Sequence, residues 1–262
     1  WCWGANNYGQ LGDGTTTSAP SPIAVYGGKQ FRSVTVGSNH TCGIAVTGTT
    51  WCWGANDVGQ LGDGSLSGRV RPSLVRGHLD LVALTAGQSH TCGRSASGAT
   101  WCWGTNWQGQ LGIGSNGDTR AKPTLVSGIL APPAATATPI PPAPSAYASL
   151  FAGDNHTCGI TATGAAWCWG SNGSGQLGDG TTTDHASPVP VADVGEGFAT
   201  LAAGDSHTCG ITTGGATWCW GRNDKGQLGI GSSGASEPEP IRVAGNDMFV
   251  SISAGGRATC AK

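Results

Sequence analysis

A Trp-Cys-Trp-Gly motif recurs five times along the chain, and a Gly-Gln-Leu-Gly motif follows each copy a few residues later. Most copies lie about fifty residues apart, a period typical of repeat proteins whose units stack on one another. The chain is therefore predicted to be one domain, residues 1–262, built from five copies of one unit. The predicted repeats are approximately residues 1–50, 51–100, 101–166, 167–217 and 218–262.

Each repeat contains four short runs with the composition of β-strands, separated by glycine and proline turns. In the first repeat, the segment from Phe31 to Val36 alternates apolar and polar residues, which indicates a half-buried strand. No segment has the periodicity of an amphipathic helix. Four short strands in every unit of this length are typical of β-propeller blades. We therefore predict an all-β propeller of five blades, each with four antiparallel strands.

The third repeat is longer than the others because it contains an insertion, residues 129–148, that is rich in proline and alanine. Such a composition favours extended, solvated chain and is unsuited to a central strand. The repeat pattern resumes in phase at Leu150. We therefore predict a surface loop; a linker between two domains is the alternative.

Eight of the ten cysteines form pairs with one common spacing, and each pair has a glycine near its midpoint. A short hairpin turn at that glycine places the two cysteines opposite each other on neighbouring antiparallel strands, close enough for a disulfide. Zinc binding is the alternative, because a histidine precedes the first cysteine of each pair, but the repeats would scatter these ligands. The predicted disulfides are Cys42–Cys52, Cys92–Cys102, Cys158–Cys168 and Cys209–Cys219.

The two remaining cysteines, Cys2 and Cys260, lie close to the two ends of the chain. Cys2 belongs to a Trp-Cys-Trp motif and Cys260 to a Thr-Cys motif, the two motifs that form each internal hairpin. We therefore predict that the terminal strands pair in one blade, that Cys2 and Cys260 form a fifth disulfide, and that the ring is closed. Closure would leave no sheet edge exposed. An open part of a larger ring is the alternative.

Composition and cysteine usage limit the possible locations and partners. Disulfides persist mainly in oxidising compartments, so we expect a secreted or cell-surface protein. The chain begins with Trp1 rather than methionine, which indicates a processed product or a fragment of a longer chain.

The net charge of the chain is −2 and charged residues make up 11%, whereas nucleic-acid binders usually carry a basic patch. No apolar run is long enough for a membrane helix. We expect neither a nucleic-acid partner nor membrane insertion.

The other recurring polar and aromatic residues are interpreted as framework, and no catalytic site, metal or cofactor is expected. Acid–base catalysis needs a partner that shifts a pKa, and no carboxylate recurs beside every histidine. We interpret the histidines and the glutamines of Gly-Gln-Leu-Gly as structural hydrogen-bonding residues.

The paired tryptophans are interpreted as packing between blades, with a sugar-binding platform as the alternative. The aspartates of the Gly-Asp-Gly turns are interpreted as turn formers rather than calcium ligands. The histidines are His40, His90, His156 and His207, and the aspartates are Asp13, Asp63 and Asp179.

The informative variation lies in the Asn-x-x-Gly segment that follows each Trp-Cys-Trp-Gly motif, where the two middle residues change from repeat to repeat. A fixed framework that carries different side chains on the same loop of each blade suggests a binding surface, and tyrosine and tryptophan dominate many interfaces. Neutral variation in a solvated turn is the alternative. The predicted contact residues are Asn7, Tyr8, Asp57, Trp107, Gln108, Asp224 and Lys225.

The segment from Ala203 to Gly229 resembles the repeat of the regulator of chromosome condensation (RCC1) family. It contains Ala-Gly-Asp-Ser-His-Thr-Cys, then Trp-Cys-Trp-Gly and Gly-Gln-Leu-Gly, and the resemblance extends over nearly the whole chain outside the insertion. It implies a β-propeller. The best-known member of the family is nuclear, seven-bladed and a nucleotide-exchange factor that binds chromatin, and secreted bacterial relatives of the fold include a β-lactamase inhibitor. Five copies, a cysteine pair in each hairpin and the lack of a basic tail do not favour the exchange activity.

Because fold alone does not determine function, the functional prediction depends on the variable loops. We predict a secreted, non-enzymatic propeller that binds a protein partner or serves as an extracellular structural module. A carbohydrate-binding propeller and a proteinaceous enzyme inhibitor are the alternatives.

Overall fold

The computed structural model describes residues 1–127, 144, 146–245 and 248–262. Over these residues the protein is all-β, with twenty strands, no helix and therefore no helix that could cross a lipid bilayer. The chain forms two compact units, which we call the N-terminal unit (residues 1–107 and 117–125) and the C-terminal unit (residues 108–116 and 126–262). Most of the predicted insertion, residues 129–143 and 145, lies outside the described residues.

The N-terminal unit contains ten strands. In chain order these are β1 (Cys2–Gly4), β2 (Ala19–Ile23), β3 (Phe31–Val36), β4 (His40–Ala45), β5 (Thr50–Gly54), β6 (Arg69–Leu74), β7 (Leu81–Ala86), β8 (His90–Ser95), β9 (Thr100–Gly104) and β10 (Arg120–Leu125). Strands β1 and β2 form a two-stranded sheet, and β3–β6 and β7–β10 form two four-stranded sheets. Consecutive strands within each sheet are antiparallel neighbours, as predicted for propeller blades.

The C-terminal unit contains the other ten strands. These are β11 (Ser149–Ala152), β12 (His156–Ile160), β13 (Ala166–Gly170), β14 (His185–Pro190), β15 (Phe198–Ala203), β16 (His207–Thr212), β17 (Thr217–Gly221), β18 (Glu237–Arg242), β19 (Ile252–Ala254) and β20 (Thr259–Ala261). Strands β11–β14 and β15–β18 form four-stranded sheets, and β19 and β20 form a two-stranded sheet. The order within each sheet again follows the order along the chain.

The second and third strands of each four-stranded sheet form the disulfide-linked hairpin that the sequence predicts. Cys42 and Cys52 are directly opposite in register, and their Cα atoms are 4.1 Å apart. Gly48 closes the turn between them with a φ of 89°, in the left-handed region that favours glycine. The chain-entropy model gives such a short closed loop about 2–3 kcal/mol of stabilisation. All four internal disulfides are formed, which confirms those predictions.

The predicted fifth disulfide is not formed. Cys2 and Cys260 are both free thiols. Among the described residues, strand β1 pairs with β2 and β20 pairs with β19, so the two cysteines lie in separate two-stranded sheets. A closed ring stays a prediction.

Within each unit, the disulfide of one sheet packs in a core cluster with the second tryptophan of the next sheet's Trp-Cys-Trp motif: Cys42–Cys52 with Trp103, and Cys158–Cys168 with Trp220. Phe31 packs on Trp53 with ring centroids 5.4 Å apart. The glycine after His-Thr-Cys makes this packing possible, because a Cβ on Gly43 would lie 2.7 Å from the Phe31 ring. The second tryptophans have no exposed surface, which supports the packing interpretation; they are Trp53, Trp103, Trp169 and Trp220.

Tyr147 corrects the predicted extent of the insertion. This residue was predicted to lie in the surface loop, but its side chain is only 3% exposed. Its ring lies 5.5 Å from the ring of Trp169, in the position that Phe31 takes against Trp53. Tyr147 therefore belongs to the core of the C-terminal unit, and the surface-loop prediction is wrong at this residue.

Candidate interaction site

The loop that follows each Trp-Cys-Trp-Gly strand is fixed by the buried asparagine that begins its Asn-x-x-Gly segment. The Asn6 side-chain oxygen accepts a hydrogen bond from the Leu11 amide at 2.9 Å, and its side-chain nitrogen donates to the carbonyls of Thr15 and Thr17. One side chain thus joins the two arms of the loop. The equivalent residues, which bond to the corresponding leucine amides in the same way, are Asn56, Asn172 and Asn223.

The glutamine of Gly-Gln-Leu-Gly fixes the variable pair itself. The Gln10 side-chain oxygen accepts a hydrogen bond from the backbone amide of Tyr8 at 2.9 Å. This confirms the prediction that the glutamines satisfy backbone groups of the turn. In the other copies the backbone amide of the second variable residue likewise donates to the glutamine side-chain oxygen; these glutamines are Gln60, Gln110, Gln176 and Gln227.

The variable side chains therefore project from loops whose backbone is held by buried groups. In the N-terminal unit, Tyr8 is 53% exposed and Trp107 is 64% exposed. Asn7 and Asp57 of this unit are also exposed. Tyr8 and Trp107 thus present large aromatic side chains, a residue type that carries much of the binding energy at many interfaces.

The predicted contact residues of the C-terminal unit are less available. Asp224 accepts two hydrogen bonds of 2.9 Å from the guanidinium of Arg222, and this contact lowers the pKa of the carboxyl. Asp224 also accepts from Gln227. Gln108 is half-buried and Lys225 is exposed. The charge of Asp224 is therefore largely matched within the protein, and the exposed aromatic residues of the N-terminal unit are the stronger candidates.

A second set of polar residues joins neighbouring sheets within each unit. In the N-terminal unit the backbone carbonyl of Gln60 accepts one hydrogen bond from Trp103 Nε1 at 2.9 Å and one from Thr91 Oγ1 at 3.0 Å. His40 Nε2 lies 2.8 Å from the same Thr91 hydroxyl. Because the hydroxyl proton is directed to Gln60, the histidine must be the donor, so its proton is on Nε2.

The same arrangement recurs in the C-terminal unit, where His156 contacts Thr208 and the Gln176 carbonyl accepts from Thr208 and Trp220. His207 likewise contacts Thr259. These contacts confirm the structural interpretation of the three histidines. The buried rings have no surface from which to reach a substrate.

Burial also sets the protonation state of these histidines. It lowers the pKa of His40 to about 4 and, with the nearby charge of His207, lowers the pKa of His156 to about 3. The Nδ1 atoms of both rings are buried and have no hydrogen-bond partner in the described part of the chain. Both histidines are therefore neutral at physiological pH and are poorly suited to proton transfer there.

One carboxyl pair in the C-terminal unit was missed by the sequence analysis. Burial, together with a hydrogen bond to Asp205 and the charge of that residue, raises the pKa of Asp154 to about 7. The backbone brings the two together, since the Asp154 amide donates to the Gly204 carbonyl. The available signal was that both aspartates directly follow the glycine of a Gly-Asp-x-His segment. The described residues contain no cluster of three or more His, Cys, Asp or Glu side chains that could hold a metal ion.

The repeats match the family model of the regulator of chromosome condensation (RCC1) repeat at residues 1–44, 47–93, 97–137, 163–211 and 214–261. The chain belongs to the RCC1-repeat family. Among curated relatives, the protein RCC2 homolog of Xenopus laevis is 34% identical over 102 residues, which is 38% of this chain and 20% of that protein. The match thus covers a fifth of the relative's length.

Solved structures of RCC1-type propellers share the fold. Human WBSCR16 has a TM-score of 0.81 at 20% identity, over 99% of this chain and 66% of that one. Prp20p of Saccharomyces cerevisiae has a TM-score of 0.79 at 18% identity, over 95% and 60%. The ectodomain of the Arabidopsis thaliana receptor kinase ACR4 has a TM-score of 0.52 at 19% identity, over 94% and 63%. Together with the sheet topology, these similarities confirm the predicted propeller class.

The buried histidines make the RCC1-type framework sensitive to acid. The unfolded chain binds a proton at each histidine near pH 6.5, whereas folded His40 binds one only near pH 4. Stability is therefore complete above about pH 6.5 and falls as the pH drops toward 4, by about 1.4 kcal/mol per pH unit for each such histidine. We expect the free energy of unfolding of His40→Gln to fall less steeply with decreasing pH than that of the wild type, because one buried histidine is removed. Urea unfolding between pH 7 and pH 4 measures this. His156→Gln is the matched test in the C-terminal unit. If the free energy of unfolding of both variants fell with pH as steeply as that of the wild type, the lowered pKa values of the two histidines would be contradicted.

The carboxyl pair has the opposite pH dependence. The pKa of Asp154 is raised above that of the unfolded chain, so the pair destabilises the fold increasingly as the pH rises from about 4 to about 7. We expect Asp154→Asn to raise the melting temperature more at pH 8 than at pH 5, because it keeps a hydrogen-bonding side chain and removes the repulsion. Asp205→Asn should act in the same way, and the double variant should gain little more than either single one. A gain in melting temperature that does not depend on pH would contradict the raised pKa of Asp154.

Proposed function

We propose that this protein is a secreted or cell-surface interaction module that binds a protein partner and has no catalytic activity of its own. The contact is centred on the exposed side chains of the Asn-x-x-Gly loops in the N-terminal unit. The observation that supports this most is the combination of Tyr8 and Trp107, largely exposed, with loop backbones fixed by buried asparagine and glutamine side chains.

A pre-formed loop favours binding because little conformational entropy is lost when a partner docks. The Tyr8 amide is held by Gln10, and the adjoining Gly9 amide donates to the Asn6 carbonyl at 2.9 Å. Only the two χ angles of the tyrosine ring remain to be ordered. Large rigid aromatic side chains on such a support are the residue type most often found at the energetic centre of interfaces.

Asp57 and Asn7 would form the polar part of this contact. The Asp57 carboxylate accepts a hydrogen bond from the Gln60 side chain at 3.1 Å, which orients it while leaving it exposed. A partner that presents basic or amide groups around an apolar pocket would complement these side chains. The C-terminal unit carries its own separate set of predicted contact residues, Gln108, Asp224 and Lys225, in which Asp224 is weakened by its pairing with Arg222.

The extracellular location is supported by the four disulfides, which are rare in reducing compartments. The receptor kinase ectodomain that shares the fold is by its name an extracellular domain. The protein-binding role is supported by Prp20p, whose structure was described together with its binding to Gsp1p and histones. The buried, neutral histidines support the absence of acid–base catalysis.

The experiment that tests this proposal compares partner capture by the wild type and by the Tyr8→Ala/Trp107→Ala variant. Both are immobilised in oxidised form and exposed to the extracellular proteins of the source culture, and bound proteins are identified by mass spectrometry and then titrated. Loss of two exposed anchors should weaken binding by about a hundredfold or more. The melting temperature should change little because both side chains lie at the surface.

Tyr26→Ala provides the matched control, because Tyr26 is 48% exposed but lies outside the variable loops. Equal affinity of the wild type and the double variant would contradict the proposed contact. If the wild type bound a glycan on an array and the double variant did not, the ligand of these loops would be a carbohydrate rather than a protein. Inhibition of a hydrolase that depends on Tyr8 and Trp107 would identify the partner as an enzyme.

A further inference from the structure

A cavity of about 510 Å³ lies beside the end of strand β6, within the N-terminal unit. This volume is in the range of small-molecule binding sites. Its lining is basic, with two arginines and a histidine but one carboxylate. The lining includes Asp63, Arg69, Ser73, Leu74, Arg76 and His78.

The carboxylate of this cavity is already saturated with hydrogen bonds. The Asp63 side chain is 4% exposed, and one of its oxygens accepts from Arg69 Nε at 2.9 Å and from the Ser73 hydroxyl at 3.2 Å. The other oxygen accepts from the backbone amide of Ser65 at 2.8 Å and from its hydroxyl at 2.7 Å. Asp63 therefore offsets the charge of Arg69 and has little capacity left for a second cation.

The second arginine is fixed through one atom and leaves its outer edge available. Arg76 Nε donates to the backbone carbonyl of Asp63 at 3.0 Å. Within the part of the chain that the structure describes, neither Nη atom of Arg76 donates to an acceptor, and Arg76 joins no ion pair. The two Nη atoms of an arginine form a planar pair of donors that matches two oxygens of one oxyanion.

A third cation approaches Arg76 from the next sheet. A Cβ on Gly64 would lie 2.9 Å from Arg76 Nε and 3.3 Å from Cε of Lys122, which belongs to β10. Lys122 is exposed and forms no ion pair with any described residue. Like charges held this close repel each other, and a bound anion would relieve the repulsion. Three cations thus surround one carboxylate at this end of β6.

The fold does not require cations at these positions. In the first repeat a Cβ on Gly14 would lie 3.1 Å from Arg71 Nε and 3.7 Å from the ring of Tyr26, and the Arg71 guanidinium stacks on that ring at 3.9 Å. In the C-terminal unit a Cβ on Gly180 would lie 2.9 Å from a carboxylate oxygen of Glu239. The same framework therefore accepts an aromatic ring or a carboxylate, and the paired cations are a feature of the second repeat.

The turn that follows β6 lines the cavity with a strained backbone. His78 and Asp80 both have a φ of 45°, in the left-handed region that non-glycine residues rarely adopt. Such residues cost energy, and they cluster at ligand-binding segments. The backbone conformation thus points to a ligand independently of the charges.

We propose that this cavity binds a phosphate monoester. The phosphate oxygens accept hydrogen bonds from both Nη atoms of Arg76, while Arg69 and Lys122 add positive charge. The cavity is larger than a phosphate ion, so the organic part of the ester packs beside it on Leu74, which is exposed in the lining. The site is separate from the proposed protein contact, because neither Tyr8 nor Trp107 lines the cavity.

The charge balance selects the monoester. Asp63 offsets one of the three cations, so two positive charges remain. A phosphate monoester carries about −1.5 to −2 charges at pH 7. A carboxylate or a sulfate ester carries a single negative charge and would leave one cation unmatched.

The test is a titration of the oxidised, ¹⁵N-labelled full chain at pH 8 and low ionic strength, followed by amide chemical shifts. The probes are phenyl phosphate, phenyl sulfate and inorganic phosphate. We expect phenyl phosphate to bind saturably, to shift the amides of Gly64 and Gly77, and to bind about ten times more tightly than phenyl sulfate. It should also bind more tightly than inorganic phosphate, which lacks the organic part.

Three results of this titration would overturn the proposal. The first is no saturable binding of phenyl phosphate, or saturable binding that shifts amides away from this cavity. The second is equal affinity for phenyl phosphate and phenyl sulfate, which would contradict the charge balance. The third is equal affinity for phenyl phosphate and inorganic phosphate, which would show that the site takes the free ion.

Substitution of the two available cations tests the assignment to these side chains. Arg76→Gln should weaken the binding of phenyl phosphate by a factor of about ten or more, because the paired donors are lost. Lys122→Gln should weaken it by a smaller factor of about three, because an exposed charge acts through solvent. Both side chains are exposed, so the melting temperatures should stay close to that of the wild type.

Arg71→Gln is the matched control. It also removes a cation over a Gly-Asp-Gly turn, but one that lies in the first repeat and stacks on Tyr26. This variant should bind phenyl phosphate like the wild type. If Arg71→Gln weakened binding as much as Arg76→Gln, the effect would reflect net charge alone, and wild-type affinity of Arg76→Gln would overturn the proposal directly.

Discussion

The structure depends on one backbone carbonyl per repeat, that of the glutamine in Gly-Gln-Leu-Gly. In the first four repeats this oxygen accepts hydrogen bonds from a threonine hydroxyl and from a tryptophan Nε1 of the next sheet. Within each unit, the threonine in turn accepts from a histidine of the sheet before it. Buried donors and acceptors that lack partners are costly, so the residues of this network can change only together. The requirement explains why His-Thr-Cys, Trp-Cys-Trp-Gly and Gly-Gln-Leu-Gly recur as a set.

The same network separates the fixed framework from the variable side chains that we propose to bind a partner. The glutamine backbone carbonyl accepts a hydrogen bond from the tryptophan of the next sheet, and its side-chain oxygen accepts one from the backbone amide of the variable pair. Substitutions of Asn7, Tyr8 or their counterparts therefore leave the hydrogen bonds between neighbouring sheets intact. A repeat built in this way supports new exposed side chains at little cost in stability, which suits a scaffold for recognition.

Local spacing was sufficient to predict most of the framework. The four disulfides followed from two cysteines around a turn glycine, since antiparallel register is set by the hairpin itself. The sequence also supported the structural role of the histidines, because no carboxylate recurs beside them. Position alone singled out the pair that contains Tyr8 as the variable part of the loop.

Contacts that depend on packing over long distances along the chain were not predictable. The pairing of Cys2 with Cys260 required the two terminal strands to meet, and no local pattern decides that. Tyr147 was assigned to the insertion by composition, although an aromatic contact with Trp169 holds it in the core. The carboxyl pair of Asp154 and Asp205 was missed because the two residues lie in different repeats. The role of Asn6 was missed because its partners span the whole loop.

Two threonines of the C-terminal unit allow the most direct test of the hydrogen-bond network. Thr208 accepts from His156 and donates to the Gln176 carbonyl, whereas the Thr217 hydroxyl is buried and has no hydrogen-bond partner among the described residues. Valine has nearly the same shape as threonine, so each substitution removes only the hydroxyl. Urea unfolding at pH 7 should show that Thr208→Val lowers the free energy of unfolding by about 2 kcal/mol or more, while Thr217→Val leaves it unchanged or slightly raised. Equal effects of the two substitutions would contradict the account.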